Sequence, residues 1–454
     1  MYILDTIAAI ATPPGMGGVG IIRISGEQAL ALGAKLFTPK GKAAFSPGRM
    51  YYGDFTDQKG KHIDTGLFVW FKSPRSFTGE DIVEFHCHGG IVVLQTMLRA
   101  LLDQGIRHAE PGEFSKRAFL NGRIDLAQAE SISDLISASS DKAAEIARSH
   151  FRGRLSAAIE EIREQVISVL AWIEAEIDYP EAELDSFGRD KAAATLAQQI
   201  TVLEGLQSTY QEGKIYRDGV VTVILGSPNV GKSSLLNILT GEERAIVTDI
   251  PGTTRDVLEV PVTIRGIPLR LADTAGIRES GDLIEKIGIE RARKLAAQAD
   301  LILLILDTSR PLSEEDQLLL ENVSRDNVIV VLNKTDLPAV IDVEEISAKG
   351  FLHVRQISAL QEQGIEALKD DIENMFISGK FSPDATFISN QRHYQALVTA
   401  AGLLHQVAAN WDALPLDLLA LDLRQAWQTL GEITGSVWTE NLLDSIFQRF
   451  CLGK

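Results

Sequence analysis

A mixed fold is predicted: an N-terminal α/β domain, a helical domain assembled from two separate stretches of chain, and a doubly wound α/β domain inserted between them. Three observations predict it. The chain has 454 residues, too many for one typical core, so about three domains are expected. Apolar residues recur with a 3.6-residue period on both sides of the interval 218–378. Inside that interval, continuous apolar strands alternate with helical patterns.

Residues 1–120 form the first domain. "VGIIRIS" and "TGLFVWFKS" are β-rich and punctuated by Gly and Pro, and "GGIVVLQTMLRALLDQG" has helical spacing that stops at Gly105. Residues 121–217 form the first helical segment: from Ile124 the chain is rich in Ala, Glu, Ile and Leu, "YPEAELDSFG" breaks it, and a further helix runs to about Gln211. In residues 218–378, "GVVTVILGS", "LILLILDTS" and "NVIVVLNKTD" read as buried parallel strands. Residues 379–454 begin with the linker "GKFSPDATF" and return to helix from Ile388. Neither helical half buries its apolar face alone, so the two should pack together.

Composition excludes several classes. No run of about 18 apolar residues is present, so nothing is expected to span a membrane. The N-terminus carries Asp5 and lacks a basic leader segment, so it does not read as a signal peptide. Two cysteines make no disulfide framework, and a reducing cytoplasm is the simplest compartment. A net charge of −18 argues against broad nonspecific nucleic-acid binding, but leaves room for a local basic patch.

Four ordered motifs in the inserted domain point to GTP. "GSPNVGKSS" follows a strand and opens a helix, the context a P-loop requires. Its backbone would cradle phosphates at Asn229, Val230, Gly231, Lys232, Ser233 and Ser234. Lys232 neutralises β/γ charge and Ser233 holds Mg²⁺. "DIPGTTRDVL" stands at the place of switch I, where Thr254 is the second expected Mg²⁺ ligand beside Thr253. "LADTAGI" supplies Asp273, an acidic partner of Mg²⁺ through water, followed by Thr274, Ala275 and Gly276, whose N–H can meet the γ-phosphate. In "LNKTD", the Asp336 carboxylate can accept from guanine N1–H and the exocyclic amine, with Asn333 and Lys334 around the ring. Adenine would leave that carboxylate unpaired, a penalty of about 10⁴-fold in selection. Ser358, Ala359 and Leu360 form the loop whose backbone reads guanine O6. Together these specify a Ras-like P-loop G domain and a GTP hydrolase.

One departure matters. After "DTAG" comes Ile277, where Ras-like enzymes place a water-orienting Gln. Glu279, Asp282 and Glu285 are the nearby acids that could take over. No arginine lies in the P-loop, so a cation beside the mid-loop Asn229 could stand in for an arginine finger.

These motifs, with "ATPPGMGGVGIIRISG", "SFTGEDIVEFHCHGG", "PGEFSKRAFLNGRIDLAQAE" and the ending "FCLGK", resemble the MnmE (TrmE) family of tRNA modification GTPases from end to end. The resemblance implies that the N-terminal α/β domain dimerises and binds a tetrahydrofolate derivative. It implies a homodimer that joins the FAD-carrying flavoprotein MnmG in a heterotetramer or larger complex, acting on tRNA. The joint reaction places an aminomethyl or carboxymethylaminomethyl group on the wobble uridine, with a folate one-carbon unit. By position, Asn229 matches a K⁺-ligating asparagine, and Thr248, Ile250 and Thr253 complete the K⁺ shell. The nucleotide loop spans Thr248, Asp249, Ile250, Pro251, Gly252, Thr253 and Thr254. Glu285 matches the catalytic glutamate that orients water. Arg23, Glu84, Arg123 and Lys454 match folate positions, although some relatives carry Lys at 123, and Arg keeps the charge but not the geometry. Cys451 is a candidate catalytic thiol by its place in the terminal signature; a small buried residue anchoring the tail is the alternative.

Other signals are read as structural. "GMGGVG" is followed by a strand rather than the helix of a dinucleotide fold. In "HCHGG", Cys87 should face away from His86 and His88. "KRAFLNGR" is a basic patch for folate carboxylates or RNA, or a solvated turn. The competing class is an RNA-binding switch of the Era or EngA type, against which stand the acidic chain and the lack of a basic GxxG module after the G domain.

Overall fold

The structure, a computed structural model, describes residues 5–41, 44–179, 188–242, 260–271, 296–377, 382, 385–450 and 453. The first domain runs β1 (Ile7–Ile10), β2 (Gly17–Ser25), α1 (Ala29–Lys35), β3 (Phe37–Pro39), β4 (Met50–Thr56), β5 (His62–Phe71), β6 (Ile82–Gly89), α2 (Ile91–Leu102), β7 (Arg107–His108) and α3 (Glu113–Leu120). Its seven-stranded sheet has the order β3-β4-β5-β6-β2-β1-β7. The "GMGGVG" stretch enters β2, as strand rather than as the head of a helix. Side chains alternate across β6, sending Cys87 into the core while His86 bonds Glu84 and His88 bonds Asp64. Burial pushes the Cys87 thiol up to about 12, so it is an inert core group.

The helical segment that reads as nearly continuous in sequence is cut into α4 (Leu126–Ser137), α5 (Asp141–Phe151) and α6 (Arg154–Asp178). Ser140 caps α5 by accepting from the Ala143 amide, and Gly153 turns the chain into α6 in a left-handed conformation. Then come α7 (Arg189–Ser208) and α8 (Tyr210–Asp218), which carries helix past Gln211 to the edge of the inserted domain.

The inserted domain contains β8 (Val220–Leu225), α9 (Lys232–Glu242), β9 (Val260–Ile264), β10 (Ile267–Leu271), β11 (Leu301–Asp307), α10 (Glu314–Asn322), β12 (Val328–Asn333), α11 (Val343–Ser347), β13 (Val354–Gln356) and α12 (Ile365–Phe376). Its sheet order is β13-β12-β11-β8-β10-β9, parallel except for β9. Every residue of β11 and β12 is buried, because helices cover both faces.

The chain returns through α13 (Gln391–Ala409), α14 (Leu416–Thr434) and α15 (Glu440–Phe447). One apolar core joins α6 and α7 to α13 and α14, so both flanks of the insertion build one helical body. The insertion is held at its two crossings. Ile146, Tyr216 and Phe387 enter its core, His150 Nε2 donates to the Phe387 carbonyl at 2.8 Å, and Thr263 Oγ1 donates to the Ser139 carbonyl at 3.1 Å. At the end of the chain, Phe447 and Phe450 pack with Leu126, Ala129 and Leu443, and Gly453 lies against the backbone of Ile10 and Ala11.

Candidate functional site

The P-loop joins the end of β8 to the start of α9. Two glycines set its path. Gly226 has φ +146, and a Cβ there would lie 2.4 Å from the Ile305 carbonyl oxygen; Gly231 has φ +104, and a Cβ would lie 2.1 Å from Asn333 Nδ2. Between them Asn229 takes φ +61 at an exposed bend. Val230 is fully buried beneath the loop, and Ser233 and Ser234 are exposed in the first turn of α9. Lys232 Nζ bridges the Gly226 and Ser227 carbonyls at 2.6 and 2.7 Å. Burial pushes its ammonium pKa down, partly offset by Glu315 and Asp316, a cost that phosphate charge would relieve.

The loop after β12 and the Ser358 loop are tied to the P-loop through Asn333. This side chain is 2% exposed. Its Nδ2 donates to the Val230 carbonyl at 2.7 Å, and its Oδ1 accepts from the Ala359 amide at 3.0 Å. Asn333 thus holds three loops in register, with its amide turned inward. Ser358 Oγ donates to Asp336 Oδ1 at 2.5 Å and accepts from the Gln361 amide, which orients the half-buried Asp336 carboxylate. Lys334 takes φ +69 and pairs with Asp307 at 2.6 Å. Burial pushes the Asp307 carboxyl up, but Lys334 and Ser309 more than reverse it and keep it ionised. Ala359 is buried and Leu360 is 84% exposed beside it.

In the N-terminal domain, Arg23 and Glu84 are direct partners across β2 and β6. Arg23 Nε donates to Glu84 Oε1 at 2.9 Å, and its guanidinium lies 5.7 Å from both the Phe77 and Phe114 ring centres. Burial raises the Glu84 pKa, and the His86 hydrogen bond and Arg23 charge outweigh it. Arg123 is exposed next to Gly79, two residues from Phe77. Ala9 pairs with Arg23 in the sheet, and Gly453 packs on the backbone of the neighbouring Ile10 and Ala11.

Two of the three basic residues of "KRAFLNGR" are engaged within the protein, and Arg123 is exposed. Arg117 is 2% exposed and bonds Asp5, Glu80 and Glu113, while Lys116 pairs with Asp444. Thr248–Thr254, Asp273–Gly276, Glu285, Cys451 and Lys454 lie outside the described residues.

A family model described as the MnmE helical domain matches residues 126–451, and one described as the GTP-binding protein TrmE N-terminus matches 6–123. The tRNA modification GTPase MnmE of Geobacillus kaustophilus (strain HTA426) is 47% identical over 99% of both chains. Those of Bacillus velezensis and Clostridioides difficile (strain 630) are each 46% identical, over 99% and 100% of this chain and 100% of their own. The chain belongs to the MnmE family.

Membership makes it a P-loop GTPase. This MnmE chain also uses residues that its motifs do not announce. Asp307 anchors Lys334. Ser227 Oγ donates to Asp316 Oδ1 at 2.5 Å and so ties the P-loop to the capping box of α10. The pattern Ser313-x-x-Asp316 signals a helix start, but not that its carboxylate also reaches the P-loop. Phe77, Phe114 and His86 surround the Arg23–Glu84 pair; all three fall within sequence signatures, which do not announce that they meet there. No helix among the described residues is long and apolar enough to cross a membrane, and no cluster of three His, Cys, Asp or Glu among them could hold a metal ion.

Proposed function

We propose that this chain is a K⁺-stimulated, cytoplasmic GTPase that acts as a homodimer with the flavoprotein MnmG to modify the wobble uridine of tRNA. The observation that carries the reading is full-length similarity to tRNA modification GTPases, joined to an intact clasp of P-loop, Asn333 and the Ser358 loop. Asp336 selects guanine, Lys232 balances phosphate charge, and Ser233 with Thr254 would hold Mg²⁺. Bound Mg²⁺ supplies electrostatic stabilisation of the transferring phosphoryl oxygens.

Asn229 fits a monovalent cation. It sits at the exposed crest of the loop, and its side chain makes no hydrogen bond among the described residues, so its carbonyl oxygen is free to ligate. Thr248, Ile250 and Thr253 would complete the shell. Glu285 would orient the attacking water in place of a glutamine at position 277.

Arg23 and Glu84 fit a folate. The carboxylate can accept from the ring N–H and amine of a pterin, as Asp336 does from guanine, and Phe77 and Phe114 border the pair. Arg123 and Lys454 would meet the anionic tail. Bound tetrahydrofolate supplies the one-carbon unit. Cys451 would serve the modification step, and Cys451→Ser tests it: normal modification would leave the thiol only a packing role.

The deciding experiment is mass spectrometry of tRNA nucleosides from a strain lacking this gene, complemented with wild type or Glu285→Ala. Wild type should restore the modified wobble uridine and Glu285→Ala should not, while still binding GTP. Unchanged uridines on deletion would overturn the reading in favour of an RNA-binding switch.

A further inference from the structure

The P-loop is fastened from outside its own motif. The glycines at its two ends leave the loop free to take many paths, so another contact must fix where it starts. Ser227 follows the first of these glycines, precedes Pro228 and is 2% exposed. Its hydroxyl donates to Asp316 Oδ1 at 2.5 Å, and its carbonyl accepts from Lys232 Nζ at 2.7 Å. Asp316, in the first turn of α10, is likewise 2% exposed. Its second oxygen, Oδ2, accepts from the Ser313 amide at 3.0 Å and the Ser313 hydroxyl at 2.7 Å. Oδ2 therefore serves the capping box, while Oδ1 is committed to the P-loop. A cap works as well at the surface, so the burial of this carboxylate points to the second contact.

We propose that Asp316 is a positioning residue for GTP: acting through Ser227, it fixes the entry of the P-loop and the carbonyl that holds Lys232, so that the phosphate cradle is formed before the nucleotide arrives. This role rests on the reading of the loop as the phosphate site of a GTPase. A preformed cradle avoids the ordering entropy that a loose loop loses on binding. Ser227 is the only link in the relay that touches both ends, its hydroxyl on the α10 side and its carbonyl on the Lys232 side.

The test uses the full chain carrying Ser227→Ala, which removes the P-loop contact and leaves the Ser313–Asp316 cap in place. Competition against fluorescent GDP gives the affinities of GTP, GDP, ITP and guanosine, and thermal melting follows the fold. Loss of one hydrogen bond to a carboxylate should weaken GTP and GDP about tenfold each. Guanosine has no phosphate for the loop to hold, so its affinity should not change, and neither should the preference for GTP over ITP. Asp316→Asn keeps an acceptor for Ser313 and an amide that can donate to Ser227 Oγ, so it should bind GTP nearly as wild type does. A purely structural contact would lower the melting temperature of Ser227→Ala and leave its Kd values alone, and that result overturns the proposal. So does equal weakening of guanosine, which would place the effect on the domain as a whole. Wild type that binds neither GTP nor GDP would overturn the reading of the site as well, which separates the two failures.

Discussion

Asn333→Ala tests whether the nucleotide site is one clasp or several independent loops. Truncation removes two hydrogen bonds at a side chain that is 2% exposed, leaving the Val230 carbonyl and the Ala359 amide without partners. Each buried group left unsatisfied costs about 1–3 kcal/mol, so a total near 2–4 kcal/mol is expected after partial relaxation. Ser227–Asp316 and Ser358–Asp336 still hold the loops locally, so the domain should fold and the loss should fall on nucleotide affinity. That is roughly thirty- to a thousand-fold in Kd. The assay is equilibrium binding of fluorescent GTP, GDP and ITP, with thermal melting as a control. Because the Asn333 amide points inward, all three nucleotides should weaken alike. Asp336→Ala should instead erase the preference for GTP over ITP, which lacks the exocyclic amine. If Asn333→Ala loses GTP but keeps ITP, Asn333 reads the base directly and the clasp argument fails.

Stability should also depend on pH through His150, whose pKa burial pushes down to about 4, with His393 adding to the shift. The unfolded chain takes up this proton near pH 6.5, so stability is full above that value and falls as pH drops toward 4, by about 3 kcal/mol. His150→Gln should flatten this segment of a melting-temperature profile, and an unchanged slope would assign the dependence elsewhere. Phe447→Ala should destabilise the tail by about 3–5 kcal/mol and free the Gly453 contact. Limited proteolysis should then cut near the C-terminus while GTP hydrolysis persists; a resistant tail would show that Gly453 docks without Phe447.

The parts that local pattern encodes were legible in the sequence. Strands β8, β11 and β12 read as continuous apolar runs because both faces are covered, and the P-loop is a contiguous motif in its required context. The helix boundaries at Ser140 and Gly153 were not, since one Ser and one Gly within a 3.6-residue pattern are compatible with unbroken helix. The role of Arg117 was hidden for another reason. Its partners Asp5 and Glu80 are remote in sequence, so a buried ion cluster resembled an exposed basic patch. The same holds for Asp316, which acts on the P-loop from 89 residues away. Asp336 and Asn333 were named from one motif, but only the fold shows that the Asn333 side chain is spent on loop alignment, while Asp336 is held by Ser358.

The most direct test of the account is the rate of GTP hydrolysis by the full chain in K⁺ and in Na⁺ at equal ionic strength, for wild type and Asn229→Ala. The account predicts fast turnover in K⁺, slow turnover in Na⁺, and no difference between the salts for Asn229→Ala. Equal wild-type rates in the two salts would contradict it.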